Sequence, residues 1–152
     1  MAAEIRTFVD IDATPERVWE VLTYLPAYPE WNPIVRRAEG SFAVGGSPSL
    51  TFAPLSTALR VTVRPTVLEA EAGRRLHFRF RFARLGVPGL FDAEHVLTLD
   101  PQDGNVVRLW EQARFRGLLA PLMTRLLNRT GGGAFATMND ALKQRVEGRP
   151  ES

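Results

Sequence analysis

Two side chains capable of acid–base or hydrogen-bonding chemistry fall on the apolar parity of neighbouring strand-like segments. In LFDAEHVLTL, Phe91, Ala93, Leu97 and Leu99 alternate on one side, and His95 shares that side. In NVVRLWEQARF, Val107, Leu109, Ala113 and Phe115 alternate in the same way, and Glu111 shares their side. The intervening PQDGN is a hairpin signal, so the two segments read as adjacent strands with both polar groups turned into a covered face. Cross-strand neighbours of this kind meet as pairs. Two readings fit the couple. In one, His95 and Glu111 satisfy each other or nearby backbone groups, anchoring the hairpin or orienting a ligand. In the other, His95 acts as a donor or general base with Glu111 beside it. The first is favoured, because buried polar groups ordinarily exist with partners.

Other chemistries lack their residues. GGSPS has neither the spacing nor the strand-to-helix context of a nucleophile elbow. GGGAFA does not open a βαβ unit, and no phosphate-cradling lysine loop is present. There is no cysteine, hence no disulfide framework, thiolate metal site or cysteine nucleophile. Two histidines without HExxH spacing make a zinc centre improbable on chemical grounds, so no metal and no cofactor are expected.

Those candidates need elements to hold them. The chain has 152 residues, 45% of them apolar, which suits one domain with a substantial core. IRTFVDI alternates Ile5, Thr7, Val9 and Ile11 as a half-buried strand. DATPERVWEVLTYL follows with Thr14 as N-cap, Pro15 at the first helical position and an apolar stripe of Val18, Val21, Leu22 and Leu25. Pro26 and Pro29 stop that helix, and Pro33 pushes Asn32 toward an extended conformation. The stretch YLPAYPEWNP thus reads as a turn or second short helix leading into strands.

From Ile34 the chain reads as strands separated by turns: IVRRAEG, SLTFAPL, ALRVTVRPTVLEAE, RLHFRFRFARLG and the hairpin pair. In the fourth of these, Leu76, Phe78, Phe80 and Phe82 face one way, and His77, Arg79 and Arg81 the other. The last part returns to helical spacing through Leu119, Leu122, Met123, Leu126 and Leu127, then Phe135, Met138, Ala141, Leu142 and Val146. Gly131, Gly132 and Gly133 interrupt it and predict a bend or loosening. A sheet of about seven antiparallel strands must cover its apolar face, and the terminal helix is the element long enough to do so.

The basic residues are nearly all arginine, with Lys143 the only lysine and a net charge of +2. Arg60, Arg64, Arg79, Arg81, Arg108, Arg114 and Arg116, with Trp110 among them, fall on the outward parity. That face reads as the solvated side of an antiparallel sheet. A macromolecular interaction module acting through it is the lesser alternative, and no nucleic-acid partner is expected from so small a charge. No apolar run reaches membrane-span length, and the acidic N-terminal start predicts a cytoplasmic address.

The segments IDATPERVWEVL (11–22), WNPIV (31–35), AEHVLTL (93–99) and FATMNDALKQRVE (135–147), with the order of elements, resemble the START-like helix-grip superfamily, SRPBCC, of the polyketide cyclase/dehydrase type. The resemblance implies an α+β fold: a curved antiparallel sheet, two short helices in a V, and a long C-terminal helix over a cavity. It implies one such domain over 1–148 with a disordered tail at 149–152. In that fold Trp31 would wedge between the short helices and the sheet. Members bind lipids, sterols, polyketides, quinones or aromatic hormones, and only some are enzymes.

The expectation is therefore a protein that binds a small hydrophobic or aromatic ligand without evident catalysis. Its pocket would be lined from the sheet by Val61, Val63, Phe78, Phe80, His95, Leu97, Leu109 and Glu111. The helix would add Met123, Leu127, Phe135 and Met138. The alternative within the same fold is a polyketide aromatase/cyclase or dehydratase using His95 and Glu111. Oligomeric state is left open.

Overall fold

The computed structural model describes residues 2–53, 60–81, 92–118, 120–122, 125 and 133–148. Eight strands are present among them: β1 (Ala2–Ile11), β2 (Val35–Glu39), β3 (Ser49–Phe52), β4 (Val61–Val63), β5 (Thr66–Glu71), β6 (Arg75–Arg81), β7 (Asp92–Gln102) and β8 (Val106–Arg116). Helix α1 spans Pro15–Thr23, a single 3-10 turn covers Leu25–Ala27, α2 covers Tyr28–Trp31, and α3 covers Gly133–Val146. The architecture is α+β with antiparallel sheet and few helices.

The strand count corrects the expectation of about seven. ALRVTVRPTVLEAE is two strands, because Pro65 stands between them, fully buried and without an N–H to continue a ladder. The strands also form two hydrogen-bonded groups where one sheet was expected, β1-β8-β7-β6-β5 and β2-β3-β4. The groups are linked at the outer edge of β5. There Gly45 N donates to Val67 O and Val67 N donates to Gly46 O, both at 3.2 Å, so a loop covers that edge. Gly46 lets that loop turn tightly: a Cβ there would lie 2.8 Å from Ala43 O and 2.9 Å from Ser41 O.

The first helix forms as its sequence dictates. The Thr14 hydroxyl accepts from Arg17 N at 3.3 Å, and Val18, Val21 and Leu22 are buried. Burying side chains of this size contributes about 1.5–3 kcal/mol each. The prolines then act as expected, and Asn32 takes an extended conformation. Its buried Oδ1 accepts from Ile34 N (2.9 Å) and Val35 N (3.0 Å), locking the turn into β2. Trp31 is half-buried and packs against the core, with its ring 4.8 Å from that of Tyr28.

Helix α3 lies against β1 and α1. Asn139 Nδ2 donates to Thr7 Oγ1 (3.1 Å), Lys143 Nζ donates to Asp10 O (2.7 Å), and Arg145 pairs with Glu30 (3.3 Å). The core fills the space between these helices and the covered sheet face, with Ile11, Val18, Leu25, Leu76 and Leu109 fully buried. Of the preceding helical-spacing stretch, Leu119, Met123, Leu126, Leu127, Gly131 and Gly132 lie outside the described residues, as do Phe82, Phe91 and the expected tail at 149–152. Among the described residues no helix is long and apolar enough to cross a membrane.

Candidate functional site

The β7–β8 hairpin fixes the geometry of the two polar candidates. Its turn places Gly104 and Asn105 at φ +77° and +60°, the left-handed region that glycine and asparagine tolerate best. The resulting register sets Leu97 opposite Glu111 and His95 opposite Ala113. His95 and Glu111 are therefore diagonal neighbours on the covered face, with Nδ1 3.7 Å from Oε1. That distance is electrostatic contact, longer than a hydrogen bond. Their side chains keep 12% and 8% exposure.

Aromatic rings surround the imidazole. It stacks on Phe78 (5.2 Å between centroids, 10° between planes) and meets the edges of Phe80 (5.5 Å) and Phe115 (6.5 Å). From above, Phe135 of α3 reaches it at 5.3 Å. Phe42, in the segment before β3, stacks on Phe78 at 5.6 Å. The strand parity that placed His95 inward thus also places it within a ring cluster built from β6, β8 and the terminal helix.

Glu111 lies opposite Thr7 in the β1–β8 register, so the Thr7–Asn139 hydrogen bond borders it. Tyr28 comes from α2. Its phenol is buried and donates to Leu22 O, one of the last carbonyls of α1. Burial pushes the Tyr28 phenol well above its ordinary value, and the negative charge of Glu111 adds to the shift. The indole Nε1 of Trp31 is buried with no hydrogen-bond partner among the described residues.

The structure brings Phe78, Phe80, His95, Leu97, Leu109, Glu111 and Phe135 to one face of the five-stranded sheet, with Met138 half-buried beside that core. Val63 packs on the same core from the three-stranded group. Met123, Leu127 and the side chain of Val61 lie outside the described residues. Sequence reasoning missed Asn139 and Tyr28. Asn139 sits four residues after Phe135 and three before Leu142, so helical spacing alone would have included it. Nothing in the local sequence of Tyr28 points to Glu111.

Chemically, the site offers an acceptor on Glu111 and an imidazole beside it that donates or accepts, in apolar surroundings. Among the described residues no three candidate metal ligands cluster.

On the outer face Arg79, Arg108 and Arg114 have acidic partners. Arg108 donates to both carboxylate oxygens of Asp10 (2.8 and 3.1 Å). Arg114 pairs with Glu4 at 3.5 Å and Arg79 with Asp92 at 3.9 Å. Arg6 lies over Trp110 and Arg108 over Phe8, at 4.8 and 4.6 Å from the rings.

Solved structures share this fold across nearly the whole chain. A Chromobacterium violaceum protein matches with a TM-score of 0.73 and 21% identity, over 95% of this chain and 97% of its own. An aromatase/cyclase from Streptomyces sp. R1128 matches with a TM-score of 0.73 and 13% identity, over 97% and 94%. Norcoclaurine synthase from Thalictrum flavum, in complex with dopamine and hydroxybenzaldehyde, matches with a TM-score of 0.69 and 14% identity, over 100% and 90%. At these identities the likeness is one of fold. No curated protein matches by sequence. The family profile described as polyketide cyclase/dehydrase and lipid transport matches residues 2–147. With that profile spanning almost every residue, and SRPBCC-type proteins among its structural neighbours, this chain belongs to the polyketide cyclase/dehydrase and lipid transport family.

Proposed function

We propose that this protein binds a small hydrophobic or aromatic molecule between the covered sheet face and α3, with His95 and Glu111 meeting the ligand's polar end. The observation that carries this reading is the His95–Glu111 pair itself. Two polar side chains sit 3.7 Å apart amid phenylalanine rings, with residual exposure and no hydrogen bond to each other. A pair satisfied by its own structure would be expected to close to hydrogen-bond distance. Apolar pockets with a few convergent polar groups are the usual form of a small-molecule site. The Thalictrum neighbour, which holds two small aromatic molecules, supports the same class of ligand.

The test is a thermal-shift screen of lipids, polyketides and quinones. A ligand present at a hundredfold excess over its Kd stabilises by about 2.7 kcal/mol. For a chain of this size that corresponds to a rise of roughly 5–10 °C in Tm. No hit across all three classes would overturn the reading.

A second reading makes the protein an aromatase/cyclase or dehydratase using His95 and Glu111, with His95 as general base. The placement of both groups on the covered face favours it, and the Streptomyces aromatase/cyclase neighbour supports it. It predicts turnover of a poly-β-ketone substrate that His95→Ala abolishes while binding persists. A macromolecular role for the outer face is disfavoured, because the acidic partners of Arg79, Arg108 and Arg114 already offset their charge.

A further inference from the structure

Resting on that pocket reading, we infer that the ligand's polar end is a neutral hydroxyl, phenolic or alcoholic, and not a carboxylate or phosphate. The donor and acceptor inventory of the site argues for it. An ionised carboxylate only accepts hydrogen bonds, whereas a neutral imidazole carries one N–H and one lone pair. A carboxylate on Glu111 and a neutral imidazole on His95 would present acceptors and a donor side by side, with Nδ1 and Oε1 3.7 Å apart. A hydroxyl is both donor and acceptor and engages both groups at once. A carboxylate or phosphate monoanion brings negative charge against Glu111, in surroundings too apolar to screen it.

Among the described residues, no cation stands on the covered face of β1, β6, β7 or β8 to offset an anion. Lys143, on the helix that covers the sheet, is held by Asp10 O and Glu147. Arg145 is held by Glu30 at the surface. The described sheet arginines stand on the opposite parity, facing outward. On the covered face of β1, β6, β7 and β8 the polar residues are Thr7, His95 and Glu111, and Thr7 is taken up by Asn139.

The experiment is isothermal titration of the full chain, near neutral pH, with matched hydroxyl and carboxylate pairs built on benzene, naphthalene and anthracene rings. The hydroxyl member of the best-fitting pair should bind about tenfold or more tighter than its carboxylate, since hydrogen bonds involving a charged group are the strong ones. Glu111→Gln should narrow that ratio to within about threefold, by removing the repulsion and weakening the hydroxyl's acceptor. Thermal melting of the variant checks that it folds. Should it not fold, the wild-type ratio still decides. Equal affinities, or a preference for the carboxylate, would overturn the hydroxyl inference and leave the pocket standing. If no ring size binds in either form, the pocket reading falls and this inference with it.

Discussion

Replacing Tyr28 by Phe removes one oxygen from the junction between α1 and α2, and the consequences extend over two pH ranges. The phenol donates to Leu22 O near the C-terminus of α1, where carbonyls have no partner within the helix. Phenylalanine keeps the ring against Trp31 but leaves that carbonyl unmet in a buried setting, which costs about 1–3 kcal/mol. For a chain of this size the corresponding fall in Tm is roughly 2–12 °C. The proton matters too. The folded state holds the Tyr28 phenol above its ordinary value of 10.0, first because the group is buried and second because of Glu111's charge. Above that value the unfolded chain releases the proton while the folded protein keeps it, so the folded state binds more protons and stability falls as pH rises. The slope is about 1.4 kcal/mol per pH unit. The contribution is thus fully present below pH 10.0 and is lost on the alkaline side, and Tyr28→Phe lacks that slope. Urea unfolding of both proteins near neutrality and at two alkaline pH values measures the gap directly. It should be 1–3 kcal/mol near neutrality and shrink as pH climbs, as about 1.4 kcal/mol per unit requires. A variant as stable as the wild type near neutrality, or a gap that stays constant into alkali, would refute the reasoning.

Asn32→Ala strips the shared acceptor from two buried backbone N–H groups and should destabilise by about 2–3 kcal/mol in urea unfolding. Asp10→Asn tests the acid limb. The hydrogen bond from Arg108 holds the Asp10 carboxyl below its ordinary 3.8, so its stabilisation is present above that value and lost as pH falls through the lower folded one. Stability of Asp10→Asn measured below about pH 4 should therefore fall less steeply than that of the wild type. In the Tyr24→Phe background, where Tyr28 is the sole tyrosine, absorbance of the ionised phenol should appear only together with alkaline unfolding. A tyrosinate signal in the still-folded protein would contradict the burial of Tyr28.

Strand parity made much of the site legible. The alternation through Ala93, Leu97 and Leu99, and again through Val107, Leu109 and Ala113, is enough to turn His95 and Glu111 inward. What parity does not carry is register, which the three-residue turn Asp103–Asn105 sets, and with it the diagonal rather than opposed relation of the two groups. The neighbours of His95 come from β6, β8 and α3, and only the folded sheet tells which rings touch it. Tyr28 was legible as part of a proline-limited segment and not as a neighbour of Glu111, because that proximity depends on how α2 docks. Pro65 was open to reading as a strand break, by the same N–H argument that ended α1 at Pro26. A continuous β-branched pattern through Val61, Val63 and Val67 concealed it. The outer arginines were legible as a charged face, whereas the pairing of Arg108, Arg114 and Arg79 with Asp10, Glu4 and Asp92 is a product of cross-strand register.

The most direct test of the ligand-binding account is an NMR titration of isotope-labelled protein with the tightest ligand from the hydroxyl series. The account predicts that shifts concentrate at His95, Glu111, Phe78 and Phe135, on the covered face where imidazole, carboxylate and rings converge. Saturating shifts confined to Arg6, Phe8 and Trp110 on the outer face, with His95 and Glu111 unmoved, would contradict it.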